Sequence, residues 1–266
     1  MQMKFMRQVK MTRLDLSTGT IEKTLDFVAE EVPLKIIVND DYAFVIWCSP
    51  MQFKELSVGH LFAEGILRSV KEIDSILSDE VNNVCHVRFK DTIDVAERMD
   101  NRRHGARIVP LLKASTSAYQ KDEKLSVVQS NLAVKAQVIL DAINQLNEKA
   151  KGFKKTGGLH DSGIFKADGT IVAFSEDVGR HNTVDKVIGE ALLNHENFRD
   201  CFLIITGRVP GDMIFKAAKV GLPIIVSVAA VLNSGVASAE KANISVVGFV
   251  RGKRMNVYTC PERIIF

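Results

Sequence analysis

The chain has 266 residues, of which 46% are hydrophobic and 25% charged, and its formal net charge is +3. This composition is typical of a soluble globular protein with one large domain or two small ones, and the charge is too small to argue for a nucleic-acid partner. No apolar run is long enough to cross a bilayer and no secretory leader pattern is present. We therefore expect no membrane partner and a cytoplasmic location.

The first part of the chain is predicted to be α+β. Alternating apolar residues and turn signals predict a hairpin over Met11–Val28 and a second strand pair, Val32–Val38 with Ala43–Cys48. Further short strands are predicted at Ile73–Leu77, Val84–Phe89 and Thr92–Val95.

Between these strands, Gln52–Leu67 has the apolar spacing of a helix. His60 and Glu64 lie four residues apart on it and therefore share a face. Two ligands without a third do not define a metal site, so a surface or cleft-edge pair is the simpler interpretation. We expect no metal bound by the protein itself.

The segment Glu97–Leu125 has no clear periodicity. Asn101–Arg107 is basic and contains a glycine, and both a solvated surface and an anion-binding loop fit it. The polar segment Lys113–Lys124 predicts a loop. From Ser126 to Ala150 apolar residues return at spacings of three and four, which predicts an amphipathic helix. We place a domain boundary just before it, giving domains 1–125 and 126–266.

The most informative stretch is Thr156–Leu193. Asp-Gly at residues 168–169, between two apolar runs, predicts a β-hairpin. A helical pattern begins at Asn182, which is a good N-cap residue. The tetrad Gly179-Arg180-His181-Asn182 therefore lies where a strand end leads into a helix N-terminus. Backbone N–H groups and a cation can face an anion at such a position.

After residue 200 the pattern is regular. Apolar strands alternate with helices, which is typical of a parallel sheet covered by helices. In chain order the elements are strand Cys201–Thr206, helix Gly211–Val220, strand Pro223–Val228, helix Ser234–Asn243 and strand Ile244–Val250. Ligands of such sheets bind at the carboxyl ends of the strands.

Arginine follows two of these three strands. Gly207-Arg208 comes after the first strand, and Arg251-Gly252-Lys253-Arg254 comes after the third. Together with Arg180 they predict a phosphate-binding surface, because guanidinium groups pair bidentately with phosphate oxygens.

The order of elements in the second half resembles the cytidine-deaminase-like fold, in which a histidine at the position of His160 ligates zinc. That chemistry also needs a glutamate two residues after the histidine and a later Cys-x-x-Cys. Here the triplet is His160-Asp161-Ser162 and no such cysteine pair exists, so a zinc deaminase is excluded. His160 and His181 are interpreted either as ligand contacts or as satisfied polar residues at element ends.

The acidic pair Glu176-Asp177 precedes the tetrad. A general acid–base pair is one interpretation, and a salt bridge that orders Arg180 is the simpler one. The second interpretation predicts that Arg180 contacts one of the two carboxylates.

The four cysteines are isolated, which is typical of reduced thiols when no secretory leader is present. Cys48 and Cys201 lie in apolar strands and are predicted to be inert core thiols. Cys260, which precedes Pro261, is predicted to be exposed.

These residues make the chain resemble the formate dehydrogenase accessory protein family, FdhD/NarQ. The resemblance covers most of the chain, and the run Glu176–Asn182 is highly specific. The other matching segments are Gly59–Ile66, Thr156–His160, Asp185-Lys186, Gly207-Arg208 and Gly248–Tyr258.

The resemblance implies a cytoplasmic sulfur carrier with an α/β fold, in which a cytidine-deaminase-like, three-layer C-terminal domain follows a smaller α+β N-terminal domain. Such a protein takes sulfur from a cysteine desulfurase. It passes the sulfur to the bis(molybdopterin guanine dinucleotide) cofactor of formate dehydrogenase, which holds molybdenum or tungsten. The expected partners are therefore formate dehydrogenase, a cysteine desulfurase and a second copy of the chain.

The resemblance places cofactor binding on the run 249–254, and the strand ends and the tetrad add further candidates. The expected cofactor-binding residues are Phe249, Val250, Arg251, Gly252, Lys253, Arg254, Gly179, Arg180, His181, Asn182, Gly207, Arg208 and His160. A basic turn at the carboxyl end of a strand suits the phosphates of a guanine dinucleotide.

One departure from the family concerns sulfur chemistry. The family holds its persulfide on a Cys-x-x-Cys loop in the middle of the chain, whereas Arg102–Lys121 contains no cysteine. Serine, threonine and lysine cannot hold a persulfide, because the step needs a thiolate. No catalytic residue is therefore assigned. Three hypotheses remain: a sulfurtransferase with a relocated thiol, a cofactor chaperone without sulfur transfer, and a degenerate deaminase-fold protein that binds another nucleotide.

Overall fold

The computed structural model describes residues 5–103 and 125–266, without the side chains of residues 100–103. The loop predicted over Lys113–Lys124 and most of the basic segment Asn101–Arg107 lie outside the described residues. None of the described helices is both long and apolar enough to cross a bilayer.

The described part of the chain contains fourteen strands and seven α-helices. The strands are β1 (Met6–Asp15), β2 (Thr20–Ala29), β3 (Val32–Val38), β4 (Tyr42–Cys48), β5 (Ile73–Asp79), β6 (Val84–Phe89), β7 (Val134–Lys135), β8 (His160–Lys166), β9 (Ile171–Asp177), β10 (Cys201–Ile205), β11 (Ile224–Ser227), β12 (Ser245–Arg251), β13 (Arg254–Val257) and β14 (Ile264–Ile265). The helices are α1 (Phe53–Ala63), α2 (Val95–Arg103), α3 (Ala136–Lys149), α4 (Lys151–Thr156), α5 (Arg180–Leu193), α6 (Gly211–Val220) and α7 (Asn233–Ala242).

A six-stranded sheet forms the centre of the second half, in the order β13-β12-β11-β10-β8-β9. Strands β10, β11 and β12 are parallel, which confirms the predicted parallel arrangement. Strand β8 is antiparallel to β10, and β9 is antiparallel to β8, so β9 runs in the same direction as β10. We call the edge at which β9, β10, β11 and β12 end the carboxyl edge, and the opposite one the amino edge.

Helices cover both faces of this sheet. All five residues of β10 are buried, as expected for a central parallel strand with helices above and below. One core joins the sheet to α5, α6 and α7 through residues such as Leu203, Val184 and Met213. A second core joins the other face to α3 through Phe202 and Ile139.

The first half forms a four-stranded sheet in the order β4-β3-β6-β5, together with the separate ribbon β1-β2. One face of the sheet packs on α1 through a core that includes Leu34, Ile36, Leu56 and Leu61. The hairpins predicted at the start of the chain are confirmed, with slightly different bounds.

Helices α1 and α5 join the two halves through paired glycines. A Cβ at Gly59 would lie 1.8 Å from the carbonyl oxygen of Asp185, and one at Gly189 would lie 1.9 Å from that of Glu55. The two helix backbones therefore touch directly, at a distance that only glycine allows. This contact holds the first half of the chain against the start of α5, where the candidate site lies.

The helix predicted over Gln52–Leu67 is shorter than expected, because α1 ends at Ala63. Gly65 has a φ of +74°, and the N–H groups of Gly65 and Ile66 return to carbonyl oxygens of the last helical turn. This is the glycine-dependent stop signal of many helices.

The strand predicted over Thr92–Val95 is wrong, because helix α2 begins there. The Asp94 carboxylate accepts the Glu97 N–H at 2.9 Å and so caps the helix. An aspartate followed by a glutamate three residues later is a sequence signal for this start.

The helix predicted over Ser126–Ala150 begins only at Ala136. Val128 is buried in the main core and exchanges hydrogen bonds with Ala242 and Asn243 at the end of α7. These tertiary contacts hold residues 125–133 without regular secondary structure and override the apolar periodicity. The domain boundary placed between residues 125 and 126 stays a prediction.

Candidate functional site

Three helices begin at the carboxyl edge, after strands β9, β10 and β11. Their N-cap residues are Gly179, Pro210 and Leu232, none of which caps its helix with its side chain. Helices α5 and α7 have no acidic residue in the first turn. Helix α6 differs, because Asp212 lies in its first turn and the Ser234 hydroxyl accepts the Gly211 N–H. The starts of α5 and α7 are therefore more open to an anion than the start of α6, although the Asp177 carboxylate accepts the Gly179 N–H at 2.8 Å.

Arg180 is the first residue of α5 and lies across the backbone of Gly207, just beyond β10. A Cβ at Gly207 would lie 3.0 Å from the Cβ of Arg180. Arg180 Nε is buried and has no hydrogen-bond partner among the described residues. Burial and the positive charge of Arg180 lower the pKa of His160, at the start of β8, so that its imidazole is neutral at pH 7. The structure thus brings together three predicted site residues.

The salt bridge predicted between Arg180 and the acidic pair is wrong. Glu176 accepts the N–H groups of Gly152 and Phe153 at the start of α4, at 3.1 and 2.8 Å. Asp177 forms a fully buried ion pair with Lys186, at 2.6 Å. Both carboxylates are engaged elsewhere, so the guanidinium of Arg180 keeps its charge for another partner.

Asn182 is not the N-cap that the sequence predicted, because α5 begins two residues earlier. Its buried side chain donates from Nδ2 to the Trp47 carbonyl and to Asp177 Oδ1, both at 2.8 Å. The Ser49 N–H also donates to Asp177, at 3.0 Å. The end of β4 is therefore bound to the start of α5, and the role of Asn182 is to fix this junction.

The hairpin between β12 and β13 brings two arginines to the same edge. Arg251 and Arg254 are paired across the turn, and Gly252 in the turn has a φ of +59°. Phe249 has an unusual φ of +51°, and its ring lies 6.0 Å from the Arg251 guanidinium. Val250 is a core residue. The exposed residues of the predicted segment are Arg251, Gly252, Lys253 and Arg254.

The turn after β10 is held by the neighbouring strand. Ser227, the last residue of β11, donates its hydroxyl to the Gly207 carbonyl at 2.7 Å and accepts the Ala229 N–H at 2.9 Å. Arg208 is exposed beyond this turn. Arg180, Arg208, Arg251 and Arg254, which we call the arginine cluster, therefore all lie along the carboxyl edge.

A buried charge network fixes α5 against α6 and α1. Asp185 pairs with Lys216 of α6 and lies 3.6 Å from His60 Nδ1 of α1. Burial opposes ionisation of Asp185, but the charge of Lys216 and the contact with His60 outweigh it, so its pKa is lowered. His60, predicted to form a surface or cleft-edge pair with Glu64, thus keeps 17% of its side chain exposed and contacts the buried Asp185 of α5.

His181 and Asp212 form an incompletely satisfied pair beside this network. His181 Nε2 lies 3.5 Å from Asp212 Oδ2. His181 Nδ1 and Asp212 Oδ1 are buried without a hydrogen-bond partner among the described residues. Burial, together with the charge of Lys216, lowers the pKa of His181 to about 4, so its imidazole is neutral at pH 7.

A second buried pair lies on the opposite face of the sheet. Asp161 and Glu176 are opposite each other on β8 and β9, and 2% and 5% of their surfaces are exposed. Burial and the adjacent Glu176 raise the pKa of Asp161 to about 7. Asp161 Oδ1 has no partner among the described residues. Asp161 therefore holds its proton well above the usual pH range of aspartate.

The four thiols are poor nucleophiles. Burial raises the pKa of Cys48 to about 12, aided by Asp177, and that of Cys201 to about 11. Burial also raises the pKa of Cys85 and of Cys260. Cys260, predicted to be exposed, is half-buried, and its Sγ lies 3.5 Å from Asn243 Oδ1 at the amino edge. The thiol with the most access is therefore at the end of the sheet opposite the arginine cluster.

Sequence reasoning missed Asp161, Asp212 and Lys216. The last two are four residues apart on α6, which is typical of an exposed helical ion pair. In the structure each has a different partner, His181 and Asp185 respectively. Within the described residues, no group of three or more histidine, cysteine, aspartate or glutamate side chains is arranged to hold a metal ion.

Comparison with known proteins identifies the family. The FdhD/NarQ family model matches residues 29–265. The chain belongs to the FdhD/NarQ family. The sulfur carrier protein FdhD of Saccharolobus solfataricus is 34% identical over 267 residues, covering 96% of this chain and 99% of the relative. The protein of the same name from Bacillus subtilis is 31% identical over 249 residues, covering 92% and 93%.

A solved structure from the same family matches this chain over nearly its whole length. The crystal structure assigned to a formate dehydrogenase accessory protein from Desulfotalea psychrophila matches with a TM-score of 0.79 and 26% identity. The match covers 98% of this chain and 100% of that chain. The mixed α/β architecture described above is therefore that of an FdhD/NarQ protein.

Proposed function

We propose that this chain binds the bis(molybdopterin guanine dinucleotide) cofactor at the carboxyl edge and acts in the maturation of formate dehydrogenase. The observation that supports this most is the meeting of the open start of α5, Arg180 and the arginine-bearing hairpin at one sheet edge. Free backbone N–H groups and guanidinium groups are the two features that proteins use to bind phosphate. The relatives named as sulfur carriers and as a formate dehydrogenase accessory protein point to the same client.

The unsatisfied groups of the site suit this ligand. Arg180 Nε has no partner among the described residues, and a phosphate oxygen or ring carbonyl would supply one. His160 and His181 are neutral, so they add hydrogen-bonding capacity without adding charge. Arg208, Arg251 and Arg254 are exposed and available to a large anionic ligand with four phosphates.

The architecture supports a more specific proposal on the fold. Residues 126–266 hold three parallel strands between helices on both faces, together with the hairpin β8-β9, and we assign them to the cytidine-deaminase-like fold. Residues 1–125 would form the smaller α+β domain. We further propose that the chain forms a homodimer and contacts a cysteine desulfurase. The location that fits this family is the cytoplasm.

Within this function, the thiols favour cofactor binding without sulfur transfer by the chain's own cysteines. All four cysteines have raised pKa values, and the half-buried one lies at the amino edge. A sulfur carrier needs an accessible thiolate close to the acceptor. The chain would then act as a cofactor chaperone, with the sulfur supplied by another protein.

Calorimetric titration with guanosine diphosphate (GDP) tests cofactor binding. GDP supplies the guanine and diphosphate of the dinucleotide. We expect Arg180→Ala to weaken GDP binding by about 10- to 100-fold, since it removes a charged hydrogen-bond donor. The matched control is Arg199→Ala, which replaces an exposed arginine at the amino edge and should bind GDP as tightly as wild type. Equal affinities for Arg180→Ala and wild type would remove the basis of the proposal.

Incubation with a cysteine desulfurase and labelled cysteine tests the chaperone function. Intact mass spectrometry should show no stable gain of a sulfur atom on this chain. A gain that disappears in Cys260→Ser, and in no other single cysteine variant, would instead establish a relocated carrier thiol.

A further inference from the structure

The β1–β2 ribbon leaves large apolar side chains in contact with water. It is a separate pair of antiparallel strands, each of ten residues. Met6, at its base, is 8% exposed, whereas Leu14 and Ile21, which are paired near its turn, are 63% and 74% exposed. A two-stranded ribbon is only marginally stable by itself in water. Its exposed apolar end is therefore suited to a contact with another molecule.

The two faces of the ribbon differ in charge. Residues opposite each other in an antiparallel pair share a face, and successive pairs alternate between the two faces. One face holds all the acidic residues of the two strands, and on it Arg13 and Glu22 lie 3.9 Å apart. The other face has lysine and apolar residues and no acidic residue. We call this second face the lysine face, and it consists of Gln8, Lys10, Thr12, Leu14, Ile21, Lys23, Leu25 and Phe27.

Helix α4 extends the lysine face. The Lys155 Nζ lies 4.9 Å from the centre of the Phe27 ring, so the helix and the lysine face are in contact. Residues 149–155 contain four lysines, all exposed, and no acidic residue. Phe153 lies among these lysines and is 48% exposed. The lysine face and α4 therefore form one basic surface with exposed apolar side chains between the charges.

This basic surface adjoins the carboxyl edge of the six-stranded sheet. His160, the first residue of β8, is opposite Asp177, the last residue of β9, so it lies at that edge. Residues 157–159 join α4 to His160. Among them, a Cβ at Gly158 would lie 3.2 Å from the Cβ of Ala29, at the base of the ribbon. A protein docked on the basic surface would therefore be next to the proposed cofactor site.

We propose that the lysine face and α4 together dock an acidic surface of the client protein that receives the cofactor. The inference rests on the proposed function and deepens it, because it names where the client docks. A basic surface attracts an acidic partner and orients it before contact. The apolar side chains between the lysines add contact area that exposed ion pairs alone do not supply.

The charge of the basic surface argues against a second copy of the chain as its occupant. Two copies that meet through the same face around a twofold axis place each face against itself. The lysine face and α4 would then oppose lysines with lysines, and like charges across an interface are unfavourable. A second copy would therefore dock on another surface.

Charge reversal on the two faces of the ribbon tests the proposal, with surface plasmon resonance to measure the binding of cofactor-free formate dehydrogenase to the full chain. Lys10→Glu/Lys23→Glu should weaken binding about tenfold or more, and the deficit should shrink as salt is raised. Arg7→Glu/Arg13→Glu is the matched control, because it makes the same charge change at exposed positions of the opposite face. The control should bind within about twofold of wild type. Equal weakening in both variants, or in neither, would contradict the proposal.

The apolar part of the contact has its own test. Ile21→Ser should weaken the binding of the apoenzyme by about 3- to 10-fold at both low and high salt, because it removes apolar contact area. The control Leu77→Ser, at a position of β5 that is 68% exposed, should bind as wild type does. If sedimentation velocity shows that Ile21→Ser dissociates a dimer of the chain, a second copy occupies the lysine face and the proposal is wrong.

Titration with GDP separates this inference from the proposed function. GDP affinity should be unchanged in all four variants, since none of them alters a proposed cofactor-binding residue. A wild-type chain that binds GDP but not the apoenzyme would overturn the docking proposal and leave cofactor binding in place. Binding to phosphatidylglycerol vesicles through Lys10 and Lys23, without binding to the apoenzyme, would also overturn it. If the apoenzyme binds through the lysine face but GDP does not bind, the docking proposal stands and the proposed cofactor site is wrong.

Discussion

The two edges of the six-stranded sheet differ in how their polar groups are satisfied. At the amino edge, the buried Arg263 donates to the carbonyl oxygens of Asn243 and Pro223, at 2.6 and 3.4 Å. At the carboxyl edge, Arg180 keeps a buried Nε without a partner among the described residues. The first arginine serves the fold, because the chain itself completes its hydrogen bonds. The second is left incomplete, as expected where a ligand completes the set.

The same contrast holds for neighbouring groups. At the amino edge, Thr259 Oγ1 donates to the Ile244 carbonyl and accepts the Val246 N–H. At the carboxyl edge, His181 and Asp212 each retain an unpartnered atom within the described residues. Unsatisfied polar atoms that cluster at one edge support the proposed binding surface more directly than charge alone.

Replacing Arg263 should give the largest effect on stability. Arg263→Ala removes a buried charged donor and takes its partner from the Asn243 carbonyl oxygen, whereas the Pro223 carbonyl keeps the Ser245 N–H. We therefore expect a loss of about 2–3 kcal/mol in the free energy of unfolding. Urea denaturation measures the loss, and GDP affinity should stay within about twofold. A large fall in the GDP affinity of a folded Arg263→Ala variant would contradict the account in which the amino edge serves stability and the carboxyl edge serves binding.

The buried carboxyl pair should give a pH-dependent effect. The folded-state pKa of Asp161, about 7, lies above its ordinary value of 3.8. The protein therefore loses stability from this group as the pH rises from about 4 through 7. Asp161→Asn removes the titration and should be more stable than wild type at pH 8, by on the order of 1 kcal/mol.

Thermal unfolding of wild type and of Asp161→Asn between pH 4 and 8 measures this effect as the difference between their two stability curves. His181 does not contribute to the difference, because its lowered pKa destabilises both proteins equally as the pH falls below about 6.5. Parallel curves over the whole range would show that Asp161 is ionised at neutral pH.

Replacing the exposed arginines of the β12–β13 hairpin should affect binding without affecting stability. The double variant Arg251→Ala/Arg254→Ala should bind GDP about 3- to 10-fold more weakly, because exposed charges contribute little each. The deficit should shrink as salt is raised, because exposed pairs are screened. Titrations at low and high salt check both points, and a deficit independent of salt would argue against a charge effect.

Replacing the half-buried thiol should have the smallest effect. Cys260→Ser should change the free energy of unfolding by within about 0.5 kcal/mol and leave GDP affinity unchanged. Cys260 lies at the amino edge, so a changed GDP affinity in this variant would place the ligand at the wrong end of the sheet.

The sequence predicted most of the second half, because local patterns determine it. The apolar strands β10, β11 and β12 and the helices between them follow from periodicity, glycine stops and a proline. Parallel strands place their carboxyl ends together, so the position of Arg208 and Arg251 at one edge followed from topology alone.

The errors arose where distant contacts decide the structure. Asn182 is a good N-cap by residue type, but its side chain is used by Trp47 and Asp177. Likewise, Asp212 and Lys216 have the spacing of a surface pair, and only the fold shows that they face His181 and Asp185. Apart from the contact between Asn182 and Asp177, these pairings join residues that are more than thirty positions apart, and no local pattern indicates them.

The most direct test of the account is a crystal structure of the chain with GDP. We predict the diphosphate within hydrogen-bonding distance of the first-turn N–H groups of α5 and of Arg180, at the carboxyl edge. GDP bound at the amino edge, or on the outer face of the four-stranded sheet with the α5 start empty, would contradict it.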